Sequence, residues 1–165
     1  MSDGTTIARS DISNMLLEAT GLTLDRLPML HVIFDRMATS CADAMRTLAA
    51  SQSYYQLSHL ESGRIGDMLN EYEAQAIAAV FQAPEWDSHV IIGFDRDFVF
   101  TIVEVLLGAD GSEPPVDEER PFSGIELKLS QKLFEMMGEF LAEAFSVVTN
   151  VTFRFERVET RMDFA

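Results

Sequence analysis

A turn of small residues followed by an acidic loop is the part of this sequence best suited to contacting another protein. The turn is Gly108–Gly111, and the loop continues through Pro114 and Pro115 to Arg120. It is about a dozen residues long, where a simple connection needs only a few. Small residues let a partner's backbone approach closely, and prolines stiffen the loop. Five acidic residues against one arginine leave a net charge of −4, which favours fast association with a basic surface. The alternative is a glycine helix cap followed by a solvated connector.

Side chains that could perform catalysis are few and scattered. The three histidines, His31, His59 and His89, are far apart and form no pattern typical of a metal site or of a nucleophile with its base. The single cysteine, Cys41, falls on an apolar helical stripe, where a buried structural thiol is expected. The sequence therefore predicts no catalytic residue, no metal site and no cofactor, and hence a protein that is not an enzyme.

The composition is that of an acidic globular domain. The chain has 165 residues, of which 47% are hydrophobic, and this suits one domain with a sizeable core. A net charge of −15 argues against binding to nucleic acid or to an anionic membrane, because phosphates need basic partners. One cysteine cannot form an internal disulfide, which favours a reducing compartment. No signal peptide and no apolar run of membrane-spanning length is recognisable.

Two predicted helices precede the acidic loop. The first begins near Asp25, with Pro28 tolerated in its first turn, and has apolar residues at every third or fourth position. The second begins after Asp95, which its residue type predicts as the N-cap, and ends at Gly108, where glycine favours a left-handed cap. The loop is thus expected to leave directly from the end of a helix.

A third helix is predicted immediately after the loop. Ser123 and Glu126 have the spacing of a capping box, in which each side chain binds the other residue's backbone N–H. The predicted buried face of this helix comprises Leu129, Leu133, Met137, Phe140, Leu141, Ala144 and Phe145.

Three strands are predicted beside these helices. The segments "AIAAVFQAP" and "DSHVIIGF" are two strands joined near "PEWD". The closing segment "VTFRFERVETRMDF" alternates apolar Val151, Phe153 and Phe155 with polar residues. A long helix followed by an aromatic extended segment occurs twice, once from Asp25 and once from Ser123. This repeat predicts an α/β domain of two related halves that share a sheet. The alternative is that the repeat has no significance, since a helix followed by a strand recurs in any α/β protein.

The segment "VIIGFDRDFVFTIVEVLLGADG", continued by "FSGIELKLSQKLFEMMGEFLAEAF" and the closing strand, resembles the middle domain of the FliM family of flagellar motor switch proteins. The resemblance covers residues 25–165. It implies a CheC-like pseudo-twofold α/β domain, with a mainly antiparallel sheet packed against long helices. Members of the family normally continue into a FliN-like C-terminal domain, which is absent from this sequence. The chain is therefore expected to be either a truncated or a short form.

The same resemblance implies the partners and the site. The family carries a Gly-Gly-x-Gly motif that contacts FliG, and it corresponds here to Gly108, Ala109, Asp110 and Gly111. Alanine replaces the second glycine, so a left-handed backbone there would be strained. The implied function is that of a non-enzymatic rotor-ring component, cytoplasmic and peripheral at the basal body on the inner membrane. It would couple the chemotaxis signal to rotation direction or speed. Neighbouring FliM subunits are further implied partners, and FliN only through the missing domain.

Residues 1–24 are expected to form a separate N-terminal segment that binds phosphorylated CheY. The family has an acidic, Ile- and Leu-containing motif for this purpose, and the segment that matches it loosely contains Asp11, Ile12, Met15 and Leu16. The three apolar residues lie on one helical face, as docking into a groove requires. The alternative is that this stripe packs on the domain's own core.

The alternative function is that of a CheC-like CheY phosphatase. CheC-like proteins of the same fold use Glu-x-x-Asn on their long helices, where the amide orients the attacking water. Neither long predicted helix contains an asparagine, and Asp67 and Asn70, which have a related spacing, lie outside them. The sequence therefore favours the non-enzymatic reading.

Overall fold

The structure is a computed structural model that describes residues 28–48, 54–58, 60, 66, 76–110 and 120–160. The elements in chain order are α1 (Pro28–Leu48), β1 (Ala76–Ala83), a 3-10 turn (Pro84–Trp86), β2 (Ser88–Asp95), α2 (Arg96–Leu106), α3 (Gly124–Phe145) and β3 (Arg154–Glu159). The three predicted helices and three predicted strands are thereby confirmed. The predicted start of the first helix at Asp25 lies outside the described residues. Among the described helices, none is both long and apolar enough to cross a membrane.

The strands form one antiparallel sheet in the order β2–β1–β3. A tight turn joins β1 to β2, in which Asp87 takes a left-handed φ of 48° and its N–H donates to the carbonyl of Pro84. On its other side β1 pairs with β3, and the pairing shifts between Val80 and Phe81. Because of this shift, both Phe155 and Val158 pack against the core. The predicted alternation of apolar and polar residues along β3 is therefore offset by one residue between them.

The main core lies between one face of the sheet and the helices α2 and α3. Ile77, Ala79 and Phe81 of β1 pack there against Val99 of α2 and Phe134 of α3. The remaining buried member is Val103, also from α2. The central strand β1 is buried at almost every position, which is consistent with its nearly continuous apolar sequence. The core therefore fixes α2, and with it the start of the acidic loop, on the sheet.

Helix α1 packs along α3, so the two long helices of the predicted repeat are neighbours. The thiol of Cys41 is buried and donates to the sulfur of Met137 at 3.0 Å. Burial raises the pKa of Cys41 to about 11, which keeps the thiol protonated at neutral pH. Met45 joins Leu133 in a second cluster with Ile102 of α2. The prediction of a buried, structural cysteine agrees with this placement.

The buried face of α3 differs from the predicted one. Phe134, which is missing from the predicted face, is fully buried, whereas Leu129, Phe140 and Phe145 are only partly buried. The reason lies in a neighbour that is distant in sequence: the Phe134 ring stacks on Phe94 of β2, with ring centroids 4.2 Å apart. The position of β2 beneath α3, and not the helical period alone, decides which residues are covered.

Candidate partner-binding site

The site is built on α2, whose first turn is well capped. The carboxylate of Asp95 accepts a hydrogen bond from the backbone N–H of Phe98 at 2.7 Å, which confirms the predicted N-cap. Helix α2 then buries Val99, Phe100 and Ile102 among other apolar residues. The helix is therefore a firm support for the turn at its C-terminal end.

The end of α2 is a Schellman motif centred on Gly108. The N–H of Gly108 donates to the carbonyl of Val105 at 3.0 Å, and the N–H of Ala109 donates to the carbonyl of Glu104 at 2.9 Å. Gly108 has a φ of +106°, a conformation that residues with a Cβ avoid. The glycine cap proposed as an alternative is thus present, and it fixes the backbone direction at the start of the loop.

The turn displays small residues on the surface. Leu107 is 78% exposed, and Gly108, Ala109 and Asp110 are also exposed. Asp87 is the sole non-glycine residue with a positive φ within the described ranges, so Ala109 is not left-handed. The alanine at the motif's second position is therefore accommodated without backbone strain. Gly111, the fourth predicted contact residue, lies outside the described residues.

The chain is anchored again at the start of α3 by the predicted capping box, which is confirmed. The N–H of Glu126 donates to the hydroxyl of Ser123 at 3.3 Å, and the N–H of Ser123 donates to the Glu126 carboxylate. The Arg120 guanidinium donates to both oxygens of the same carboxylate, at 2.6 and 2.9 Å.

Glu126 stays ionised because of these bonds. The hydrogen bonds from Arg120, with further help from Ser123, lower the pKa of the Glu126 carboxyl to about 2 although the group is buried. Its pKa lies below the ordinary value of 4.5, so its contribution to folding stability is complete above about pH 4.5. That contribution is lost as the pH falls towards 2.

Two arginines and two phenylalanines hold the end of the loop against the start of α2. The Arg96 guanidinium lies 4.7 Å from the ring centroid of Phe122 and 5.3 Å from that of Phe100, and Arg120 lies 5.0 Å from Phe100. Arg96 also donates to the backbone carbonyl of Arg120. We call Arg96, Phe100, Arg120, Phe122 and Glu126 the arginine clasp. Sequence reasoning missed it, although Arg96 and Phe100 have the i, i+4 spacing of helical neighbours.

The structure does not describe the other predicted site residues. Asp11, Ile12, Met15 and Leu16 lie outside the described residues, so their predicted role stays a prediction. Within the described ranges, no group of three or more histidine, cysteine, aspartate or glutamate side chains could hold a metal ion. Helices α1 and α3, with the bounds observed, contain no asparagine.

The fold is that of solved FliM middle domains. The crystal structure of the FliM middle domain from Vibrio alginolyticus aligns with a TM-score of 0.72 and 20% identity, over 84% of this chain and 76% of that one. The FliG–FliM complex from H. pylori aligns with a TM-score of 0.79 and 22% identity, over 87% of this chain and 78% of that one. These similarities confirm the predicted CheC-like α/β fold, with an antiparallel sheet packed against helices.

Sequence comparison gives the family. Residues 23–165 match the family model described as flagellar motor switch protein FliM. The flagellar motor switch protein FliM of Caulobacter vibrioides (strain NA1000 / CB15N) is 34% identical over 165 residues, or 99% of this chain. The chain belongs to the FliM family, which confirms the resemblance found in the sequence. It spans 43% of the length of that relative.

Proposed function

We propose that this chain is a non-enzymatic component of the flagellar motor switch, in the rotor ring on the cytoplasmic side of the basal body. In this role the turn at Gly108–Gly111 and the adjoining acidic loop bind FliG. The observation that carries the proposal is the rigid, exposed turn at Gly108, Ala109 and Asp110, which the Schellman motif holds at the end of a buried helix. The solved FliG–FliM complex of H. pylori, which has the same fold, supports it.

The chemistry of the turn suits close backbone contact. The N–H groups of Gly108 and Ala109 are already hydrogen-bonded within the turn. These residues therefore offer a partner a surface of small side chains rather than backbone hydrogen-bond donors. Asp110 adds a negative charge beside them, and the acidic loop extends it. We expect these charges chiefly to raise the association rate with a basic surface of FliG, and so to make that rate sensitive to salt.

Ala109→Arg tests this surface directly. Because Ala109 is exposed and is not left-handed, the arginine leaves the fold intact but blocks close approach and offsets the negative charge of Asp110. We expect normal melting and FliG binding weakened at least tenfold, about 1.4 kcal/mol. The matched control is Val148→Arg, which adds the same charge at a 54% exposed position beyond the end of α3. If Ala109→Arg binds FliG as tightly as the control Val148→Arg does, the loop is a connector only.

The rotor role implies further contacts. A closed ring of identical subunits needs two different complementary faces on each copy, so neighbouring copies of the chain meet head to tail. Phosphorylated CheY would shift the ring between two arrangements by binding one of them more tightly. No step of this role requires a catalytic residue.

A peptide of residues 8–20 is expected to bind phosphorylated CheY more tightly than unphosphorylated CheY. Ile12→Ala and Leu16→Ala should each weaken the binding by about 1 kcal/mol or more, because both would be anchors in an apolar groove. Asn14→Ala, on the opposite face of a helix, is the control and should have little effect. Fluorescence anisotropy of the four labelled peptides measures their affinities for both forms of CheY. A peptide that binds neither form of CheY would remove this partner from the account.

A further inference from the structure

We propose that the arginine clasp is a positioning device for partner recognition, in which Arg96 and Arg120 hold the end of the acidic loop, from Arg120 to Phe122, on the first turn of α2. The inference rests on the proposed function, since it concerns the same loop. Arg96 and Arg120 act through the loop backbone and are therefore positioning residues rather than contact residues.

The covalent chain alone does not fix the loop. Twelve peptide steps from Gly108 to Arg120 can span about 40 Å when extended. The clasp holds Arg120 beside the first residue of α2, and that helix of 11 residues is only about 16 Å long. The loop thus has more than twice the length needed to return along α2. Chain length alone therefore does not place Arg120 beside Arg96.

Both ends are held on the same helix. At the start, the Schellman motif fixes Gly108 and Ala109 to the last turn of α2. At the end, Arg96 in the first turn donates to the carbonyl of Arg120 and lies against the ring of Phe122. Helix α2 is packed in the core, and its length therefore sets the distance between the two ends of the loop.

Arg120 is held from two sides. Its carbonyl accepts from Arg96, while its side chain donates to both carboxylate oxygens of Glu126 and reaches the carbonyl of Pro121 at 3.3 Å. The Arg120 side chain is 43% exposed, but the Glu126 side chain is only 7% exposed. A buried carboxylate thus fixes a surface arginine, and the bidentate geometry sets the orientation as well as the distance.

This arrangement needs arginine and not merely a positive charge. Lysine cannot bind a carboxylate in the bidentate manner and cannot stack a planar group on Phe100. Arg120→Lys therefore loosens the end of the loop and leaves the net charge unchanged. A loop whose end is loose loses more conformational entropy when a partner binds, so the complex should dissociate faster.

The test compares the kinetics of FliG binding to the intact chain and to Arg120→Lys, well below the melting temperature of both. We expect koff to rise about three- to tenfold, with kon and its salt dependence unchanged within about twofold, because the charge is conserved. Arg46→Lys is the matched control, since Arg46 pairs with Asp43 in an exposed ion pair on α1. A merely structural role would lower the melting temperature but leave koff of the folded protein unchanged.

A second readout does not depend on FliG. Backbone 15N relaxation should show lower order parameters at Arg120 and Phe122 in Arg120→Lys, with those of α2 and α3 unchanged. Unchanged order parameters at these two residues would overturn the inference. If Ala109→Arg weakens FliG binding but Arg120→Lys changes neither koff nor the order parameters, the positioning role is rejected and the FliG assignment stands. If Ala109→Arg has no effect, the FliG assignment fails, and the relaxation result still decides whether the clasp holds the loop.

Discussion

Phe134→Ala is expected to lower the free energy of unfolding by about 3–5 kcal/mol. The Phe134 side chain is fully buried at the centre of the main core, and its ring stacks on that of Phe94. Truncation removes the buried ring and leaves a cavity between α3 and the sheet. The packed surroundings can fill that cavity only in part.

The same helix provides the control. Phe140→Ala removes an identical group from a partly buried position, and we expect a clearly smaller loss. Urea unfolding followed by circular dichroism gives both values. Equal losses for the two variants would contradict the observed placement of α3 on the sheet.

Gly138→Ala is expected to destabilise the domain by about 1–3 kcal/mol, although alanine is the better helix former. A Cβ at position 138 would lie 2.7 Å from Cε1 of Phe81, closer than atoms can pack. The Phe81 ring cannot easily move, because it is buried and makes an edge-to-face contact with Phe155. The glycine therefore permits the close approach of α3 to β1.

Gly124→Ala in the same helix is the matched control. No atom lies within 4 Å of a Cβ added there, so the exchange should be neutral or stabilising. The double variant Gly138→Ala with Phe81→Leu should lose less stability than the sum of the single variants, because the smaller side chain relieves the clash. Additive losses in thermal or urea unfolding would show that the predicted clash is absent.

Much of the fold could be predicted because its signals are local. The N-cap Asp95, the glycine stop at Gly108 and the capping box of Ser123 and Glu126 each need only a few consecutive residues. The hairpin of β1 and β2 likewise follows from two apolar runs around a proline-containing turn. These local signals placed the exposed turn correctly at the end of a helix.

The features that sequence reasoning missed depend on distant neighbours. The burial of Phe134 is set by Phe94, and the need for glycine at position 138 is set by Phe81. The arginine clasp joins Arg96 to Arg120, which are 24 positions apart, so their spacing gives no periodic signal. In each case the tertiary arrangement decides which residues meet, and propensity or periodicity cannot supply that information.

Site-specific photocrosslinking to FliG tests the central proposal most directly. A small diazirine-bearing amino acid replaces Ala109 in one sample and Val148 in the other, both of them exposed in the structure. After irradiation with FliG, mass spectrometry identifies the crosslinked peptides. We expect a crosslink from position 109, suppressed by an excess of the unlabelled chain, and none from position 148. A crosslink from position 148 with none from position 109 would contradict this proposal and place the FliG contact near the C-terminal end of α3.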